Sequence, residues 1–100
     1  MAEWIYFLHP PRDDFAATLT EEEAAAFEAH ARFLGRLLAD GVLVLGGPTL
    51  GTVNTGIAVF EAPDEAAAQA IVAQDPVVRA KVARAELRPY RVGFLRGRER

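Results

Sequence analysis

The order of strand-like and helical segments constrains the fold of this 100-residue chain more than any other feature. Runs rich in aromatic and β-branched residues are typical of strands, and apolar residues every three or four positions are typical of amphipathic helices. The segments are a strand at 4–8, a helix at 21–40, strands at 42–48 and 56–62, a helix at 65–74 and a strand at 85–94. This β-α-β-β-α-β order predicts an α+β, ferredoxin-like domain with a four-stranded antiparallel sheet and both helices on one face. We place the domain at 1–95 and expect a flexible basic tail at 96–100.

Local signals mark the ends of both helices. Thr20 and Glu23 form a capping-box pattern before the first helix, and Gly41 suits the left-handed position after it. Asp64 is a candidate N-cap for the second helix. Asp75 before Pro76 ends that helix and suits the start of a further helical turn over "PVVRAKV".

The spacing of apolar residues predicts which helix faces are buried. The inward stripe of the first helix is predicted to contain Phe27, His30, Ala31, Leu34, Leu37 and Leu38. That of the second is predicted to contain Ala66, Ala67, Ala70, Ile71 and Val72. Small residues on the second stripe favour close packing of helix against sheet.

The strands are apolar on both faces, which predicts self-association. In the first strand Trp4, Tyr6 and Leu8 alternate with Ile5 and Phe7. Two helices cover only one face of a sheet, and soluble monomers rarely expose a large contiguous apolar face. We therefore expect a homodimer that packs sheet against sheet. Pro89 lacks an amide donor, so the last strand is expected at an edge or a bulge.

The composition of the chain limits which kinds of partner and site we expect. The net charge is −3 with no basic face, which disfavours nucleic-acid binding, because neutralised phosphates supply most of that affinity. Cysteine is absent, so neither a disulfide framework nor a thiolate metal site is available. The N-terminal segment carries Glu3 where a signal peptide is basic, and no apolar run approaches the length of a membrane span. We expect a cytoplasmic protein that does not enter membranes.

No common catalytic signature is present, which leaves His30 as the candidate chemical group. There is no phosphate-binding Gly-rich loop, no HExxH and no GxSxG, and the chain has no serine. His30 is polar on an apolar stripe, and two interpretations are open. It is a structural histidine bonded to a backbone carbonyl, or its ring lies in a pocket where a carboxylate orients one nitrogen and the other exchanges protons.

The other polar candidates also have structural interpretations. Asp75 is an ordinary N-cap by pattern, and His9 is a loop residue at the end of the first strand. Tyr6 and Tyr90 suit core or interface packing, although their hydroxyls could face a pocket. The glycines in "GGP" suit a turn but also permit close approach of a ligand.

Several segments together make the chain similar to the YCII-related family. They are "WIYFL", "HARFLGRLLADG", "VLVLGGP", "DEAAAQAIVAQDP" and "RPY", in that order. The resemblance implies a ferredoxin-like fold dimerised into an α/β barrel and a His–Asp pair, which falls on His30 and Asp75. One branch of the family dehydrochlorinates a chlorinated hydroxyquinol without a dedicated cofactor. Tyr90 stands where Phe is commoner in the family.

The resemblance implies a small enzyme in which His30 is a general acid/base and Asp75 orients it. The substrate class is small and cyclic or phenolic, and the reaction is an elimination, a lyase step or an isomerisation. Tyr6, Gly47 and Pro48 would form pocket wall, with no metal and no cofactor. One alternative is a non-catalytic dimeric barrel that binds a small ligand or serves as an interaction module. Another is an oxygenase-like dimeric barrel, which the "AQDP" segment matches less well.

Overall fold

The computed structural model describes residues 1–97 and contains one antiparallel sheet covered by helices. The strands are β1 (Ala2–His9), β2 (Leu43–Pro48), β3 (Gly56–Ala62) and β4 (Arg84–Tyr90). The helices are α1 (Glu21–Ala39), α2 (Glu65–Gln74) and the short α3 (Pro76–Arg79), and a 3-10 turn spans Phe15–Ala17. The strand order is β2-β3-β1-β4. The predicted α+β, ferredoxin-like architecture is confirmed.

The strand boundaries differ from the predicted ones mainly in β4. This strand ends at Tyr90 rather than at residue 94, because its partner β1 begins at Ala2 and Glu3 pairs with Tyr90. Past that pair β1 offers almost no backbone for further pairing. β4 lies at a sheet edge, as the proline at position 89 predicts.

The predicted helix ends are confirmed by their hydrogen bonds. The Thr20 hydroxyl accepts from the Glu23 amide at 3.1 Å, and the Glu23 carboxylate accepts from the Thr20 amide at 2.9 Å. Gly41 follows α1 at φ +76°, which costs a glycine little. The Asp64 carboxylate accepts from the Ala67 amide at 2.9 Å and so caps α2.

The predicted inward stripes are wrong at their margins. Ala31 and Leu38 are exposed, Leu38 at 58%, whereas Phe33 is buried. The core-facing line of α1 is therefore rotated from the predicted one by roughly 40°, which is less than the about 100° between consecutive residues of a helix. In α2, Ala66 and Ala70 are likewise exposed. The buried positions of α2 are Ala68 and Val72.

The sheet has one covered face and one open face. On the covered face, Trp4, Tyr6 and Leu8 pack with Phe60 in a core that includes residues of α2 and α3. Cross-strand pairing places Ile5 opposite Val59, Phe7 opposite Ile57 and Leu45 opposite Val59. These five residues form the apolar centre of the open face.

Two further expectations from the sequence concern membrane spans and the basic tail. Within residues 1–97, no helix combines the length and hydropathy needed to cross a membrane. The basic tail predicted at 96–100 falls mostly outside the described residues, because 98–100 are not among them.

Candidate functional site

A partly open cavity of about 480 Å³ lies between α1 and the covered face of the sheet. β1 contributes Tyr6 and Leu8, and α1 contributes Phe27, His30 and Leu34. The segment after β1 and the hairpin between β2 and β3 supply the remaining walls. Such a volume suits a small organic molecule.

The cavity wall is almost entirely apolar. Among its described lining residues, polar side chains belong only to Tyr6, His30 and Asn54. The Asn54 amide group donates to the backbone oxygens of Thr49 and Gly51 and so orders the hairpin loop. No lysine, arginine or carboxylate is among these lining residues, so the wall offers no fixed charge to pair with a strongly ionic ligand.

The polar centre of the cavity is His30, whose ring is hydrogen-bonded to Asp75 behind the cavity wall. His30 Nδ1 lies 2.8 Å from Asp75 Oδ2 and 3.0 Å from Oδ1. The Asp75 side chain is fully buried, whereas the His30 side chain is 15% exposed. A buried carboxylate is stable only when it is paired and hydrogen-bonded, and here His30 meets that requirement from 45 residues away.

Helix capping positions Asp75 for this contact. Its Oδ1 accepts from the Val77 amide at 3.1 Å, so the residue caps α3, which begins at Pro76. α1 packs against α3, and this packing brings the middle of α1 to the cap. The structural and functional interpretations of Asp75 are therefore compatible, because the carboxylate has enough lone pairs for both roles.

Tyr6 is the third side chain of the cluster. Its hydroxyl donates to Asp75 Oδ2 at 2.7 Å, and its ring packs edge-on against Phe60 with centroids 5.7 Å apart. The residue is fully buried. Burial raises the pKa of the Tyr6 hydroxyl above its ordinary value, and the nearby charge of Asp75 and their hydrogen bond raise it further. Tyr6 is therefore a neutral donor.

This arrangement determines which ring nitrogen of His30 faces the cavity. An ionised carboxylate only accepts hydrogen bonds, so the hydrogen in the contact belongs to His30 Nδ1. No buried side-chain nitrogen or oxygen lacks a partner in residues 1–97, and the hydrogen bonds of His30 are made through Nδ1. Nε2 is thus the nitrogen open to solvent or a ligand, and it carries a lone pair when the ring is neutral.

Arg12 fastens the segment that closes one side of the cavity. Its guanidinium donates to both carboxylate oxygens of Glu23, at 2.8 and 3.0 Å, and to the Thr18 backbone oxygen at 2.6 Å. It also lies over the Phe15 ring, 5.0 Å from the centroid. Phe15 and Leu19 of this segment line the cavity. The hydrogen bonds from Arg12, with that from the Thr20 backbone, lower the pKa of Glu23 from 4.5 to about 2.

The structure places the other candidate residues as follows. Tyr6, Gly47 and Pro48 line the cavity together with His30. His9 does not: its Nε2 lies 2.9 Å from Glu86 Oε1, and pairing of β1 with β4 puts both side chains toward the open face. Tyr90 is 47% exposed at the end of β4. Within residues 1–97 no group of three or more His, Cys, Asp or Glu side chains could hold a metal ion.

The segment at 10–19 also forms part of the cavity wall, which the sequence patterns do not predict. Its residues alone indicate only the end of the first strand. The available signal was an aromatic residue, Phe15, among polar neighbours, since an isolated apolar residue in a loop usually has something to cover. Asn54 and Leu50 of the hairpin also line the cavity, and no sequence pattern singles them out.

Comparison with known proteins gives a family and a fold. The family model described as the YCII-related domain matches residues 4–91. A solved structure with the same fold is 5-chloro-2-hydroxyhydroquinone dehydrochlorinase from Burkholderia phenoliruptrix AC1100, in complex with 2,5-dihydroxybenzoquinone. The TM-score is 0.68 at 22% identity, over 93% of this chain and 96% of the other. A search of curated proteins gave no significant match.

Proposed function

The chain belongs to the YCII-related family, and from that membership we propose that it is an enzyme in which His30 moves protons on a small cyclic or phenolic substrate. Asp75 holds the histidine ring. The reaction class is an elimination or a related lyase or isomerase step. The observation that carries the proposal is the contact of 2.8 Å between His30 Nδ1 and Asp75 Oδ2 at the wall of a partly open apolar cavity.

The pair suits general acid/base chemistry. Asp75 fixes the tautomer with hydrogen on Nδ1 and stabilises the imidazolium that forms when Nε2 takes a proton. In an elimination, Nε2 accepts a proton from the substrate and the electron pair left behind forms a double bond. The leaving group departs with its own bonding pair from the neighbouring atom. The imidazolium then releases its proton, which completes the cycle.

The cavity supports the substrate class. Its volume of about 480 Å³ accommodates a substituted ring, and aromatic side chains such as Phe15 and Phe27 offer stacking or edge contacts to one. The absence of fixed charge among the described lining residues favours an uncharged ring over a phosphorylated or polycarboxylated molecule. Tyr6, Gly47 and Pro48 act as wall in this proposal rather than as reacting groups.

The dehydrochlorinase with the same fold supports the reaction class. Its name and ligand show that it acts on a chlorinated hydroquinone and binds a dihydroxybenzoquinone. Loss of hydrogen chloride is an elimination, which is the chemistry that a positioned histidine base can perform. We extend that class, though not that substrate, to this chain.

We further propose that the chain acts as a homodimer with the open sheet faces packed together. Ile5, Phe7, Leu45 and Ile57 are partly exposed around the buried Val59 and form an apolar centre that the helices leave uncovered. An isologous contact between two copies would bury this surface on both protomers.

The proposed function is tested by turnover of a panel of halogenated and hydroxylated phenols that begins with 5-chloro-2-hydroxyhydroquinone. Chloride release and absorbance changes are the measurements. The variant His30→Ala is expected to lower turnover about 10²- to 10⁴-fold, which is the usual contribution of a general acid/base. The matched control is His9→Ala, because it removes the other histidine, on the opposite sheet face. Unchanged turnover in His30→Ala would refute the role assigned to this residue.

The same panel separates the enzyme from a non-catalytic binding module. A ligand that binds the cavity, measured by calorimetry, without turnover in any compound would favour the module. A displaced His30 signal in the NMR spectrum on binding would then locate the ligand without any reaction.

A further inference from the structure

Asp75 accepts hydrogen bonds from three donors, and one of these donors takes no part in the proton transfer proposed above. His30 and the Val77 amide account for the dyad and for the helix cap. The third donor is the Tyr6 hydroxyl, at 2.7 Å from the same Oδ2 atom that contacts His30. Tyr6 lines the cavity, but it is fully buried and its hydroxyl donates to Asp75, so the hydroxyl is directed at the carboxylate. Any effect of its hydroxyl on the reaction passes through Asp75.

We infer that Tyr6 is a positioning residue that sets the pH at which His30 becomes a base. The hydroxyl draws charge from Oδ2 and presents the positive end of its dipole to the pair. Both effects weaken the attraction between Asp75 and the imidazolium. A carboxylate that already accepts a hydrogen bond from a neutral donor attracts a cationic donor less strongly. Tyr6 thereby lowers the pH at which Nε2 is free to accept a proton. The functional meaning of this inference rests on the proposed role of His30.

Few other charges face His30. One turn away on α1 lie Ala26, Phe27, Phe33 and Leu34, none of which ionises. From α3 comes Asp75, and Arg79 of that helix is exposed. From β1 comes Tyr6, and the described walls of the cavity add no other charged side chain. Arg12 of the cavity-closing segment is paired with Glu23 of α1, so the two charges offset each other.

The composition of the chain makes the test direct, because it contains two histidines and two tyrosines. The imidazole signals of His9 and His30 are followed by NMR between pH 4 and 9 in the absence of substrate and are assigned with His9→Gln. In Tyr6→Phe, which keeps the ring and removes the hydroxyl, the titration midpoint of His30 is expected to rise by about one pH unit. In Tyr90→Phe, the matched control, it is expected to stay at the wild-type value.

A double-mutant cycle shows whether the effect passes through Asp75. When Asp75→Asn is already present, Tyr6→Phe is expected to leave the His30 midpoint unchanged, because the carboxylate that couples the two is gone. A shift of equal size in that background would overturn the inference. So would an unshifted midpoint in folded Tyr6→Phe, since Tyr6 would then only pack.

A second variant answers the question if Tyr6→Phe does not fold. Growth of the Tyr90→Phe protein on 3-fluorotyrosine labels Tyr6 alone and makes its hydroxyl a stronger donor with almost no change in shape. The His30 midpoint is then expected to move to lower pH, opposite in sign to Tyr6→Phe, and an unchanged midpoint contradicts the inference. These titrations need no turnover. A shifted midpoint in an enzyme that His30→Ala leaves active would therefore refute the proposed function and leave the Tyr6 coupling intact.

Discussion

Asp75 combines two duties that most N-cap residues do not share. It caps a helix, as Asp64 does, but it is also fully buried and accepts from Tyr6 and His30. The cap alone requires one carboxylate oxygen and leaves the residue free to be exposed. Burial of the second oxygen is explained only by the two side-chain donors that converge on it from β1 and α1.

A comparison of Asp64 with Asp75 measures how much the buried hydrogen bonds of Asp75 contribute to stability. Asp64→Ala is expected to lower the free energy of unfolding by about 1 kcal/mol, which is typical for loss of an exposed cap. Asp75→Ala is expected to cost about 3 kcal/mol or more, because it also leaves two side-chain donors without their acceptor. Urea unfolding followed by circular dichroism measures both. Equal losses in the two variants would show that the cluster contributes nothing beyond the cap.

At this scale the sequence predicts roles better than it predicts partners. The position of His30 on an apolar stripe was visible from spacing, and the family resemblance suggested Asp75 as its partner. Nothing in the spacing connects Tyr6 to Asp75, because they are 69 positions apart and meet only when β1 and α3 pack on the same core. The interpretation of Tyr6 as pocket wall therefore omits its hydrogen bond to Asp75.

At the scale of elements, the start of α1 is built from interactions that depend on pH. Glu23 completes the capping box with Thr20 and also binds Arg12, which holds the cavity-closing segment in place. The hydrogen bonds of this one carboxylate therefore connect a helix terminus to the cavity wall. Its folded pKa of about 2 lies below its ordinary value of 4.5.

This difference predicts an acid-dependent contribution to stability. A group whose pKa is lowered by folding stabilises the protein fully above its ordinary pKa, and that contribution is lost as the pH falls toward the folded value. The midpoint of thermal unfolding of Glu23→Gln is therefore expected to lie below that of wild type at pH 7. The gap is expected to narrow between about pH 4.5 and 2. The control is Glu22→Gln in the same helical turn, and a gap that is constant over this pH range would contradict the prediction.

Helix ends were predictable for local reasons, whereas the end of β4 and the burial margins of the helices were not. The capping box, Gly41 and the Asp75-Pro76 step act within a few residues, so the pattern alone determines them. The choice between Ala31 and Phe33 as an inward residue depends on the exact rotation of α1 against α3 and β2. A rotation of less than one residue keeps most of the stripe inside, and hydrophobic spacing alone does not distinguish the two orientations.

At the scale of the whole molecule, one face of the sheet is not covered by any helix within residues 1–97. The order of elements predicted the fold, because a βαββαβ chain leaves few topologies that obey the usual connection rules. The same order leaves one sheet face uncovered. Whether a second copy covers that face depends on shape and area between molecules, which no single-chain pattern contains.

Leu45→Glu tests the proposed dimer at that face. Leu45 is 46% exposed, so a charge there strains the single chain little, but it lies opposite Val59 in the apolar centre. In a dimer about a twofold axis each substitution acts twice and buries a charge without a partner. Wild type is expected to sediment at twice the chain mass of 10.9 kDa, and Leu45→Glu at the chain mass.

Leu38→Glu, on the exposed side of α1, is the matched control and is expected to remain dimeric. A wild type that sediments at the chain mass throughout the micromolar range would refute the dimer. A dimer that persists in Leu45→Glu would place the contact on another surface.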